Sequence, residues 1–73
     1  MKQFNLEEFR KILKELMIEK DITQNQLAKN IGVDQTTLSK LMLGVHYPSV
    51  DTVVRLANFF KITIGQMIGT EPL

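Results

Sequence analysis

Gln35, Thr36, Ser39 and Lys40, with Leu43 among them, fall on one side of a helical wheel drawn through "DQTTLSKLML". Leu38, Leu41 and Met42 fall on the other. An ordinary solvated face would favour Glu and Lys. This one carries an amide, hydroxyls and a single amine, with no carboxylate after Asp34. Such groups suit the edges of base pairs. Glutamine can grip adenine with two hydrogen bonds, and threonine and serine serve several bases. The threonine methyl can meet a thymine methyl, and lysine reaches guanine or phosphate. Other chemistries are poorly supplied. His46 is the single histidine and there is no cysteine, so no metal-ligand set can be assembled, and no metal or cofactor is expected. One histidine among scattered Ser and Asp makes no convincing nucleophile and base, so an enzyme is not expected.

The polar face needs a helix held at a defined angle, and the flanking sequence supplies the means. A local pattern recurs in which an apolar residue and a capping residue are followed, after three more positions, by a second apolar residue. The instances are Phe4-Asn5…Phe9, Ile22-Thr23…Leu27, Val33-Asp34…Leu38, Pro48-Ser49…Val53 and Ile62-Thr63…Met67. The capping side chain accepts from the unpaired N–H groups of a first helical turn, and the apolar pair clamps the entry. Asn5/Glu8, Thr23/Gln26 and Thr63/Gln66 also have capping-box spacing. The pattern predicts five helices, over about residues 6–20, 24–31, 35–43, 50–60 and 64–68.

Helix one should bury Leu6, Phe9, Ile12, Leu13, Leu16 and Met17, and expose a charged face with a favourable Glu7–Lys11 pair. Helix four should bury Val50, Val53, Leu56, Ala57 and Phe60. Ile18, Leu43, Val45 and Phe59 lie off the buried stripes. No segment alternates as a strand, so the class is all-α. Between helices two and three, Gly32 can adopt the left-handed conformation that ends a helix. Val33 then returns towards Ala28, and Asp34 caps the next helix at once. Two short helices joined by so tight a turn make a helix-turn-helix unit.

The stretch "ITQNQLAKNIGVDQTTLSKLMLGVHYPSVDTVVRLANFFKITIGQM" resembles the DNA-binding domain of the Cro/C1-type (Xre-like) helix-turn-helix regulators. The resemblance runs over about residues 6–68. Gln24, Ala28, Gly32, Val33, Leu38, Leu41, Gly44, Pro48-Ser49 and Leu56-Ala57 carry it, all in register. It implies a compact five-helix, lambda-repressor-like domain with helix three in the major groove. It also implies base contacts from Gln35, Thr36 and Lys40, helped by Ser39. Phosphate contacts fall to Gln24, Thr37 and the loop Gly44 to Tyr47, with His46 and Tyr47 its polar members. A dimer contact is implied at Phe59, Ile64 and Ile68. The partners would be double-stranded DNA with an inverted-repeat operator and a second copy of the chain, with no small-molecule substrate. The chain departs from the family at the end of helix three. A polar Glu-Asn-Gly-Lys/Arg run is common there, and this chain has Met42-Leu43-Gly44-Val45. Lys61 stands where a glycine often follows helix four.

The expected function is a sequence-specific transcriptional regulator, of the repressor type found in phage and mobile elements. The alternative is a protein-interaction module on the same fold, antitoxin-like or partner-binding, docking through Met42–Val45. The formal net charge of +1 on 73 residues neither demands nor excludes nucleic acid. Hydrophobic residues make up 44% of the chain, enough for one small core. The acidic residues of "MKQFNLEEF" interrupt any signal-like apolar stretch, and no apolar run could span a membrane, so a soluble cytoplasmic chain of one domain is expected. The tail "GTEPL" is either a true end or a junction to a second domain.

Overall fold

The structure is a computed structural model that describes residues 4–73; the first three residues of the N-terminal stretch discussed above lie outside it. Its elements are α1 (Leu6–Lys20), α2 (Gln24–Ile31), α3 (Gln35–Leu43), α4 (Val50–Phe60) and α5 (Ile64–Ile68). Each begins one residue after the capping position that the sequence pattern marks. Asn5, Thr23, Ser49 and Thr63 each accept a hydrogen bond from the backbone N–H three residues on. Thr23/Gln26 and Thr63/Gln66 form complete reciprocal capping boxes.

Asp34 is the exception. It has the extended backbone of an N-cap, and its carbonyl accepts from the Leu38 N–H at 3.0 Å, but its side chain caps nothing. The start of α3 is set instead by the turn before it, where the Val33 N–H is bonded to the Ala28 carbonyl at 3.1 Å.

Five helices converge on one core. Phe9 and Leu13 of α1, Leu27 of α2, Leu38 and Leu41 of α3, Leu56 of α4 and Met67 of α5 are its fully buried members. Ile12, Leu16 and Met17 complete the stripe of α1, while Leu6 packs at its margin. Two of the expected members of α4 lie elsewhere. Val50, at the first helical position, is 81% exposed, because the start of α4 projects beyond the core. Thr52 takes the inner place, with its hydroxyl accepting from the Ser49 hydroxyl at 3.0 Å. Phe60 is only half-buried and meets Phe59 edge-on, their ring centroids 5.0 Å apart. On the outer face of α1, Glu7 pairs with Arg10 at 2.8 Å and not with Lys11.

All five helices end in a left-handed residue. Gly32, Gly44 and Gly69 do so at little cost, while Asp21 (φ 54°) and Lys61 (φ 57°) carry side chains there. Lys61, where the family often has a glycine, thus carries the strain of that conformation, and a second instance sits at Asp21. Among the described residues no helix is long and apolar enough to cross a membrane.

Candidate nucleic-acid interface

The angle of α3 is set at Gly32. Its φ of 74° turns the chain sharply, and the N–H groups of Gly32 and Val33 both close on the Ala28 carbonyl, at 3.0 and 3.1 Å. Ala28 is buried and small, so α3 approaches α2 closely. Leu27, Ile31, Leu38 and Leu41 then fix the pair to the core.

This geometry turns the polar row outward. Gln35, Thr36, Thr37 and Lys40 are exposed and Ser39 is half-buried. The side chains of Gln35, Thr36, Ser39 and Lys40 have no hydrogen-bond partner among the described residues. Gln35 lines the crevice between α2 and α3 with Asn25, Gln26, Lys29 and Asp34.

The expected phosphate contacts surround this row. Gln24 is the first residue of α2, half-buried, directly after the Thr23/Gln26 box. That box occupies the Gln26 N–H. The Gln24 and Asn25 N–H groups have no intrahelical acceptor, and the helix dipole adds positive potential there. At the other end of α3, Thr37, Lys40, His46 and Tyr47 share a cleft with Ser49 and Thr52 at the start of α4. Gly44 (φ 78°) turns the chain into that loop, its N–H bonded to the Leu41 carbonyl at 3.1 Å and the Val45 N–H to the Lys40 carbonyl at 3.0 Å. Tyr47 is 71% exposed and is steadied by the Phe4 ring, 5.8 Å away.

The residues expected at a dimer contact do not form one group. Ile64 and Ile68 line an apolar groove with Phe4, Tyr47, Val50 and Val54. Phe59 is elsewhere, packed on Phe60 and covered by the Lys20 ammonium 5.1 Å from its ring centre.

Two side chains that the sequence pattern did not single out support this region. Arg10 and Arg55 are the only arginines of the chain. Arg10 Nε donates to the Met42 carbonyl at 2.9 Å, and Arg55 Nη1 to the Ile31 carbonyl at 2.9 Å. These are the C-terminal ends of α3 and α2. Each arginine sits three or four residues after an acid on its own helix, and that spacing was the one available signal. Which distant carbonyl it serves is a tertiary fact.

Fold, turn and polar face together define a helix-turn-helix domain, and a family model described as helix-turn-helix matches residues 13–67. The chain belongs to the Cro/C1-type helix-turn-helix family. It is 35% identical over 66 residues to the HTH-type transcriptional activator BcrR of Enterococcus faecalis, covering 90% of this chain and 32% of that protein. It is 30% identical over 57 residues to the cryptic phage CTXphi transcriptional repressor RstR of Vibrio cholerae, covering 78% of this chain and 51% of that one. The crystal structure of a transcriptional regulator from Listeria innocua superposes with a TM-score of 0.75 at 28% identity, covering 84% of this chain and 57% of the other. The chain thus spans about a third to a half of the length of these curated relatives.

Proposed function

We propose that this chain is the sequence-specific DNA-binding part of a transcriptional regulator and that α3 reads the major groove. The observation that carries the reading is the uncommitted polar face of α3. Gln35, Thr36 and Lys40, with Ser39 beside them, are donors and acceptors that no group among the described residues satisfies, on a helix narrow enough for the groove. Phosphates on either side would be held by Gln24 and the first turn of α2, and by Thr37, His46, Tyr47 and the Gly44 backbone. The family membership supports this arrangement.

Few cations line this surface, so one copy should bind weakly. A two-fold dimer would place two α3 helices about 34 Å apart, one duplex turn, on an inverted repeat. The groove of Ile64 and Ile68 is the surface we assign to that dimer, and it recruits Val50 and Val54 rather than Phe59. The phage repressor among the relatives supports a repressor of phage or mobile-element type. Action on DNA would place the chain in the cytoplasm. Selection of bound duplexes from a random pool tests the reading: an enriched inverted repeat is expected, and a pool that stays random after repeated rounds would refute it.

A second reading has its own observation. Within Met42–Val45, Leu43 and Val45 are 68% and 64% exposed where the family often has polar groups. A protein-interaction module could dock a partner there. Titration with random duplex at low salt separates the two, since a DNA reader must show non-specific binding that weakens steeply as salt rises.

A further inference from the structure

The last carbonyls of a helix find no N–H donor within it, and each must be satisfied from outside. In α3, the Lys40 and Leu41 carbonyls are closed by the N–H groups of Val45 and Gly44. The Met42 carbonyl is closed from another helix, by Arg10 of α1. In α2, the Ala28 carbonyl is closed by the Gly32 and Val33 N–H groups, and the Ile31 carbonyl by Arg55 of α4.

The two arginines repeat one construction. Each is tethered by an acid earlier on its own helix, Arg10 by Glu7 and Arg55 by Asp51, both at 2.8 Å. Each lies against the left-handed glycine that follows the helix it serves. A Cβ added at Gly44 would come within 3.0 Å of the Arg10 guanidinium, and one at Gly32 within 3.0 Å of Arg55 Nη1. Each guanidinium also places a positive charge at a helix C-terminus, where the dipole favours it. Charge-assisted bonds of this kind are shorter and stronger than neutral ones.

We propose that Arg10 and Arg55 are positioning residues for DNA reading, clamping the C-terminal ends of α3 and α2 from opposite flanking helices and so setting the angle at which the polar face is presented. The proposal rests on the DNA reading above. Arg10 acts on the helix that carries Gln35, Thr36, Ser39 and Lys40, and on the loop that follows it. Its guanidinium is shielded, with only 20% of the side chain exposed, so it is spent on the protein and not on phosphate. The bond from Arg10 to a main-chain carbonyl is indifferent to the side chain at position 42, which allows the methionine found there.

The test compares the wild-type chain with Arg10→Met, Arg10→Lys and Glu7→Gln on a selected duplex and on random duplex. Arg10→Met should keep its helix content yet lower the ratio of specific to random affinity about tenfold, the worth of roughly one base contact. Arg10→Lys can still donate once and should restore part of the ratio, and Glu7→Gln should show the same loss in smaller measure. Hydrogen exchange at the Gly44 and Val45 amides should quicken in Arg10→Met before exchange in the core does, and at Gly32 and Val33 in Arg55→Met. Leu16→Ala, a core variant read on its folded fraction, should leave the ratio unchanged. An equal loss on both duplexes, or a salt slope smaller by about one unit, would make Arg10 an ordinary stabilising or phosphate-binding group and overturn the proposal. Should Arg10→Met fail to fold, an unchanged ratio in Glu7→Gln and Arg10→Lys alike overturns it as well. A wild-type chain that binds no duplex would refute the DNA reading itself, and unchanged exchange at Gly44 and Val45 would refute the clamp independently.

Discussion

Gln35 and Gln24 carry the same side chain in different roles. Gln35 stands on the free face of α3, and its amide can offer a donor and an acceptor to one adenine. Gln24 opens α2, beside N–H groups that suit any phosphate whatever the base. Gln35→Ala should therefore cost about 1–3 kcal/mol on the preferred duplex and little on random sequence. Gln24→Ala should weaken both alike; competition binding against the two duplexes distinguishes the roles. A second pair is Asp21 and Lys61, both left-handed. Aspartate tolerates that conformation better than lysine, because its short polar side chain can bond locally. Lys61→Gly should raise stability by about 0.5–1 kcal/mol in urea unfolding, relief of strain partly offset by the freer unfolded chain. Asp21→Gly should gain less.

The helices owe their starts to local chemistry of unequal quality. Thr23 and Gln26 satisfy each other's backbone N–H groups at 2.9 and 3.2 Å. Asp34 holds the equivalent place in α3 without a side-chain bond. Thr23→Ala should then cost about 1 kcal/mol of stability, and Asp34→Ala clearly less, as measured by chemical denaturation of the two variants side by side. The difference follows from what sets each helix. Thr23 must begin α2 after an irregular turn at Asp21, whereas α3 is begun by the Gly32 corner and by Val33 closing on Ala28. A carboxylate left free of capping also lies close to Gln35, in the crevice that α2 and α3 share.

At the scale of the whole molecule, the polar surface of α3 and the apolar groove of α5 adjoin at Tyr47, which lines both the cleft beside Lys40 and the groove beside Ile64. Dimerisation through the groove would couple the loop that meets phosphate to the surface that sets half-site spacing. Ile68→Glu should therefore yield a monomer in sedimentation and lose most of its affinity for an inverted repeat. Its affinity for a single half-site should change little, because avidity is lost and no base contact is. Val50, 81% exposed at the groove, should tolerate Ala in the monomer and weaken only the dimer.

The starts and ends of the helices, the corner at Gly32 and the outward row on α3 were legible in the chain itself. Each depends on residues within a few positions of one another: a hydroxyl or amide against the N–H groups of the next turn, a glycine at the only φ that closes the last carbonyls, an apolar stripe of period 3.6. The resemblance to Cro/C1-type regulators rested on the same local signs and the same register. What stayed hidden is whatever requires distant residues to meet. Val50 reads as core by its period, yet the core ends before it, and Thr52 fills the place because Ser49 satisfies its hydroxyl. Phe59 groups with Ile64 and Ile68 along the sequence, but its ring meets Phe60 and the Lys20 ammonium and does not line their groove. Arg10 looks like one more surface cation until α1 is laid against the end of α3, 32 residues further on. Local hydrogen bonding and periodicity determined the elements; only packing decided which carbonyl each arginine reaches, because that depends on distances across the core that no short stretch of sequence encodes.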